Sequence, residues 1–310
     1  MSKGSMRIAF GNALVEMGKN DLNIAVVDAD LSSSTKTDIF KKVFPENFID
    51  VGIAEQNLVG VSAGMASTGK NVFASSFAVF EAGRAYEIIR NMVCIANLNV
   101  KLCATHAGLM TGPDGGTHQS IEDIAIMRVL PNMRVFVPAD ANETKAILKK
   151  MAYLKGPAYI RMVRDDVEDI YEEEYEFEIG KANLVKDGKD VTIIACGPAL
   201  KLAIEAAEEL ENYNISLRVI NMSSIKPIDR DIIIESAENT KGIVTVEDHS
   251  IIGGLGSAVS EVVTENCPTL VSKIGINDKF GKSGKSNELY EEYGITVENI
   301  CSEVLKIIEK

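Results

Sequence analysis

Residues 50–60, Asp50-Val51-Gly52-Ile53-Ala54-Glu55-Gln56-Asn57-Leu58-Val59-Gly60, set one carboxylate where a short apolar run gives way to a helical pattern. Read alone, Glu55 is a glutamate in the first turn of a helix, where the positive end of the macrodipole and unpaired backbone N–H groups favour an acid. The same change from strand to helix recurs along the chain. Apolar runs at 23–27, 72–74, 100–104 and 134–137 have the length and composition of buried strands, and helical patterns at 6–18, 55–68, 80–97 and 142–154 accompany them. Buried strands separated by helices predict an α/β fold built on a parallel, doubly wound sheet.

A second series follows, with strands at 190–195, 215–220 and 242–247 and helices at 199–212 and 296–309. Between the two series, residues 165–176 (DDVEDIYEEEYE) are too charged for a core. The expected organisation is therefore two α/β domains, 1–170 and the smaller 188–310, joined by a linker or extended connection over 171–187. A chain of 310 residues that is 46% hydrophobic can support two cores, since single cores stop growing near about 250–300 residues. Gly253-Gly254-Leu255-Gly256-Ser257 holds G-x-G before a helix, a fragment that predicts a tight turn and close helix packing.

Composition narrows the functions. With 45 acidic against 32 basic residues the net charge is -13, a field that repels polyanions and argues against nucleic acid as a partner. The start, MSKGSMRIAF, lacks the apolar core of a signal peptide, and no apolar stretch has the length of a membrane span; a cytoplasmic protein with no membrane partner is expected. Cys94, Cys103, Cys196, Cys267 and Cys301 show no paired spacing, so neither a zinc site nor a disulfide framework is expected.

Two stretches carry candidate chemistry. Phe77 and Phe80, three apart where a strand enters helix 80–97, share a face if the first turn begins there and can present a flat apolar platform. Residues 105–119, THAGLMTGPDGGTHQ, bring two of the three histidines and one aspartate into a long glycine-rich loop after a strand. Loops at the carboxyl ends of strands line the ligand crevice of an open α/β sheet, so this loop is a candidate site.

The stretches GIAEQNLVGVSAG (52–64), SSFAVFEAGRAYEIIR (75–90), ATHAGLMTGPDGGTHQSIEDIAIMR (104–128), LPNMRVFVPADANE (130–143), IKPIDR (225–230), VEDHSIIGGLGSAV (246–259) and KFGKSGKSNELYEEYGI (279–295) together resemble the transketolase family, in the half that carries its pyrimidine-binding and C-terminal domains. The resemblance implies thiamine diphosphate as cofactor, with Glu55 as the glutamate that hydrogen-bonds N1′ of the aminopyrimidine and so activates the thiazolium. It implies that Phe77 and Phe80 stack on the pyrimidine; the place of the family's third aromatic is Gly83, and the next aromatic is Tyr86. It further implies that Asp114 and His118 contact the hydroxyl groups of a ketose donor, His118 also moving protons. Arg7, Ser34, His106 and Arg164 match positions that hold the sugar phosphate or line its entrance.

The family also needs a domain that holds the diphosphate through Mg²⁺ or Ca²⁺, with a Gly-Asp-Gly start and a downstream Asn; no such arrangement occurs here, and no metal ligand is expected in this chain. The resemblance therefore implies the C-terminal subunit of a two-subunit transketolase of the pentose phosphate pathway, partnered by an N-terminal subunit and self-associating into a heterotetramer. Rival readings are a subunit of a deoxyxylulose-phosphate synthase, a 2-oxo acid dehydrogenase beta subunit and a non-catalytic regulatory subunit. His106 stands where the synthases usually have an arginine, which favours transketolase.

Overall fold

The computed structural model describes residues 3–20 and 23–310, so residues 1 and 2 of the expected first domain, with 21 and 22, lie outside the described residues. The strands Ile24–Asp28, Asn71–Ser75, Val100–Ala104 and Ala158–Arg161 are buried at every position. Continuous burial is what a parallel strand covered on both faces requires, and it is why these runs do not alternate. They form the centre of a seven-stranded sheet in the order Ser224–Lys226, Arg134–Phe136, Ala158–Arg161, Val100–Ala104, Asn71–Ser75, Ile24–Asp28, Phe48–Asp50. All neighbours are parallel except the Ser224–Lys226 edge.

This order fixes where a ligand can sit. From Ile24–Asp28 the chain moves first to Phe48–Asp50 on one side, then returns to Asn71–Ser75 on the other. The reversal leaves a crevice outside the carboxyl ends of these strands, because the following connections leave in opposite directions. Glu55, Phe77, His106 and Arg164 all follow the carboxyl ends of strands in this sheet.

The second sheet has five strands in the order Leu270–Ile276, Gly242–Ser250, Val191–Ala195, Leu217–Asn221, Asn183–Lys186. The first four are parallel, and Asn183–Lys186 is an antiparallel edge. That edge strand falls inside the 171–187 stretch expected to be a connection. Its half-exposed, mixed composition carries no buried-strand signal. Helix Val297–Ile308 covers this sheet with a stripe of Ile300, Cys301, Val304 and Ile307, and Thr296 caps it by accepting the Asn299 N–H.

The two halves are interlocked. Ser224–Lys226, from the C-terminal half of the chain, completes the edge of the first sheet. One hydrophobic cluster runs from Val135 and Val137 into Ile194, Ile220, Met222 and Ile225. At the junction lies Arg161, 3% exposed. Its Nε donates to Asp123 Oδ1 at 3.1 Å and Oδ2 at 2.8 Å, and Nη2 to the Ser120 carbonyl at 3.1 Å and the Asp248 carbonyl at 2.8 Å. Tyr159 donates to the same Asp123 carboxylate at 2.7 Å. Replacing Arg161 with methionine leaves a fully buried carboxylate without its counter-charge. Arg161→Met is expected to lower unfolding free energy by about 3–5 kcal/mol, read from urea denaturation; a loss below about 1 kcal/mol, the size of an exposed pair, would contradict this role.

Candidate active site

The crevice is built from five strand ends. Asp28, fully buried at the end of its strand, accepts the Leu31 N–H at 2.7 Å and the Thr35 and Thr37 hydroxyls at 2.8 Å each. Burial pushes its carboxyl above the ordinary range against those donors. This knot folds the 29–37 turn, and the Ser34 carbonyl accepts Arg7 Nη1 at 2.9 Å. Arg7 Nε is buried without a partner.

Next along the sheet stands Glu55, 2% exposed, as the first residue of helix Glu55–Ser67. Its Oε2 accepts from Arg84 Nη1 at 2.7 Å, and the Arg84 side chain, 50% exposed, lies 4.7 Å over the Phe80 ring. Arg84 reaches both because the expected 80–97 helix is largely π-helical, over Val79–Arg84 and Ile89–Ile95, with a single α turn at Tyr86–Ile88.

Phe77 and Phe80 do share a face: their rings stack at 6.0 Å with 19° between planes. Two stacking gaps of about 3.5 Å each exceed that spacing, so no third ring fits between them. The His106 ring stacks on Phe77 at 3.7 Å, and His118 meets Phe80 edge-on at 5.2 Å. Gly83 is exposed, with open space where a Cβ would stand, and Tyr86 packs against the core.

The glycine-rich loop brings in the rest. His106 has a left-handed backbone, φ 56°, rare for a residue with a side chain; its carbonyl accepts the Thr111 hydroxyl at 2.7 Å. Burial, then Arg7, Arg164 and His118, push its imidazole down to about 3, so the ring is neutral. Arg7 is itself lowered by burial and by Arg164. Asp166 and Asp165 act on Arg7 in the opposite direction, so this end of the crevice gathers two arginines with two carboxylates beside them, and Arg164 is held by the Thr111 carbonyl at 3.2 Å. Asp114 ends the Leu109–Asp114 turn and is exposed, and His118 is half-buried.

Of the residues singled out from sequence, Phe77, Phe80, His106 and His118 form one ring cluster, Arg7 and Ser34 are in contact, and Glu55 joins the cluster through Arg84. Asp114 shares the loop without joining the ring cluster. Two residues of the crevice carry no signal in the sequence, Arg84, which pairs with Glu55, and Glu81. Glu81 is fully buried, and burial, with Asp28 and Glu55, raises its pKa well above the ordinary range against a hydrogen bond from the Ser76 N–H. The Ser76 hydroxyl beside this turn is buried and unpartnered. Among the described residues, no group of three or more His, Cys, Asp or Glu is placed to hold a metal ion, and no helix is long and apolar enough to cross a membrane.

Comparison with known proteins gives the chain its class. Residues 2–169 match the family Transketolase, pyrimidine binding domain, and residues 180–300 the family Transketolase, C-terminal domain. The chain belongs to the transketolase family. It is 51% identical over 98% of its length to 96% of a chain named as a transketolase C-terminal section from Methanocaldococcus jannaschii. It is 40% identical over 98% of its length to 97% of a subunit of the apulose-4-phosphate transketolase of Phocaeicola vulgatus. A solved structure described as a split gene transketolase, inactive beta4 tetramer, superposes with a TM-score of 0.93 at 53% identity, covering 99% of both chains.

The electrostatics of the cluster can be read directly. The His106 Cε1–H resonance should stay unchanged between about pH 5 and pH 8, and Arg164→Met should move its midpoint upward by removing a facing cation. Proton NMR of the three-histidine chain reads both. A His106 midpoint near the ordinary value would contradict the buried cationic environment.

Proposed function

We propose that this chain is the C-terminal subunit of a two-subunit transketolase, which moves a two-carbon ketol unit between ketose and aldose phosphates with thiamine diphosphate. The observation that carries the reading is the pairing, in one crevice, of a buried carboxylate beside an aromatic platform with a cluster of two arginines and a neutral histidine. A flat heterocycle with a polar edge suits the first end, and a sugar phosphate suits the second.

Thiamine diphosphate, when bound, supplies the nucleophilic carbon that accepts and releases the ketol unit. Glu55 is the residue that would hydrogen-bond a ring nitrogen of the bound cofactor. Phe80 offers a stacking face, which Arg84 covers here while it pairs with Glu55; a ring stacked there takes the place of the guanidinium. Arg7 and Arg164 bind the phosphate through paired N–H donors, and Ser34 lines its entrance. Neutral His106 can accept or donate one hydrogen bond there without adding charge. Asp114 and His118 bind donor hydroxyls, and His118, edge-on to the rings, moves a proton between the donor hydroxyl and water.

Mg²⁺ or Ca²⁺ and the diphosphate belong, on this reading, to an N-terminal partner subunit, and the two subunits assemble as a heterotetramer in the cytoplasm. The relatives named as a C-terminal section and as an inactive beta4 tetramer support a chain that works only with a partner. The apulose-4-phosphate relative supports a sugar-phosphate substrate without fixing which one. The domains are proposed as 1–170 and 188–310.

Steady-state kinetics of the assembled complex tests the reading. Arg164→Ala should raise KM for xylulose 5-phosphate by roughly tenfold or more, as loss of one charge-assisted contact implies, while Asp114→Ala should act mainly on kcat. Preference for pyruvate, unaffected by Asp114→Ala, would overturn the assignment.

A further inference from the structure

The loop that carries Asp114 and His118 is not held by its own domain alone. Leu109 and Ile121, near its two ends, are buried in the hydrophobic cluster of the C-terminal domain. The Asp248 carboxylate accepts the Leu109 N–H at 2.9 Å, and a Cβ at Gly108, φ +69°, would stand 2.2 Å from that carboxylate. Across the loop runs a second segment of the C-terminal domain, residues 277–285, between strand Leu270–Ile276 and helix Ser286–Tyr293.

Gln119, 2% exposed, links the two. Its Nε2 donates to the Gly112 carbonyl at 3.3 Å within the loop and to the Lys282 carbonyl at 3.0 Å across the domain junction. Glycines on both sides make the fit possible. A Cβ on Gly281 would lie 1.9 Å from Gln119 Oε1, one on Gly116 would lie 2.4 Å from the Gly281 carbonyl oxygen, and one on Gly115 would lie 2.5 Å from Ser283 Oγ. At the other end of the segment, the Ser286 hydroxyl donates to Asp165, the neighbour of Arg164. A Cβ on Gly112 would lie 3.5 Å from the Gly284 carbonyl oxygen and 3.6 Å from Arg164 Nη1. One segment of the C-terminal domain therefore touches both the loop of Asp114 and His118 and the strand end of Arg164.

Three glycines, at 112, 115 and 116, interrupt the stretch that carries Asp114 and His118. Such a stretch has wide backbone freedom, so its shape is set by what it leans on. Within the loop, the His118 and Gln119 N–H groups donate to the Gly115 carbonyl at 2.9 and 3.1 Å. These bonds close a turn without fixing where the turn stands.

We propose that residues 279–286 of the C-terminal domain are a strap that positions the donor-binding loop, with Gly281 and Gln119 as its positioning residues. The C-terminal domain thereby sets the distance between the hydroxyl-binding pair, Asp114 and His118, and the phosphate-binding Arg164. The roles of those three residues rest on the function proposed above; the hold of the strap on the loop does not.

Two variants of the full chain test it: Gly281→Ala, which pushes a methyl group into the Gln119 amide, and Gln119→Ala, which removes the tie without adding bulk. In both, amide hydrogen exchange at positions 118 and 119 should quicken roughly tenfold, with the Val100–Ala104 strand unchanged. In the assembled complex, kcat/KM for the ketose phosphate should fall roughly tenfold or more, as a small misplacement of binding groups allows, while KM for the aldose acceptor stays within about twofold. The double variant should be no worse than Gln119→Ala, because the methyl group then meets no obstacle. Unchanged amide exchange overturns the strap, and faster exchange with unchanged donor kinetics overturns its positioning role. If the unsubstituted complex moves no ketol unit, the proposed function fails while the exchange data still decide whether the strap holds the loop.

Discussion

One buried guanidinium organises the junction on which the crevice depends. Arg161 ends a central strand of the first sheet, yet its donors reach the carbonyl of Ser120 at the end of the glycine-rich loop and that of Asp248 on a strand of the second sheet. Asp123 supplies the counter-charge, and Tyr159 shares it. A charge this deep costs several kcal/mol to desolvate, which only close pairing and full hydrogen bonding offset. The geometry is therefore demanding: the loop, the first sheet and the second sheet must all stand in register for the arginine to be satisfied.

From that junction the site follows by topology and charge. The strand order puts a crevice at the reversal between Ile24–Asp28 and Asn71–Ser75; Glu55 follows Phe48–Asp50, Phe77 and Phe80 follow Asn71–Ser75, and His106 follows Val100–Ala104. The chain as a whole is acidic, at -13. Burial, and after it Arg7 and Arg164, nonetheless depress one neighbouring imidazole to about 3, and burial and Arg164 lower Arg7. Local burial, which strengthens short-range fields, outweighs a diffuse surface charge at this point. A phosphate placed there relieves repulsion already present.

Three central strands were legible because full burial on both faces imposes an unbroken apolar run, as in IAVVD at 24–28; Ala158–Arg161, which ends in a buried arginine, was not. The helix ends at Asp140 and Thr296 carry their signals locally, each side chain accepting a backbone N–H three residues on, whereas helix Arg230–Asn239, capped by Asp229 in the same way, went unread. The rest of what escaped was held by distant partners. Asn183–Lys186 and Ser224–Lys226 are short edge strands whose pairing is decided by the sheet they meet, not by their composition. Arg84 finds Glu55 across 29 residues of sequence, and Gln119 finds Lys282 across 163. Glu81 is a carboxyl in an apolar stretch, and nothing in FEAG tells that it turns inward.

If the Arg161 junction, the shared hydrophobic cluster and the exchanged edge strand bind the two domains into one body, they should unfold together. Differential scanning calorimetry of the unsubstituted chain tests this most directly. The account predicts a single transition whose calorimetric and van't Hoff enthalpies agree for the whole chain; two separate transitions, one for each domain, would contradict it.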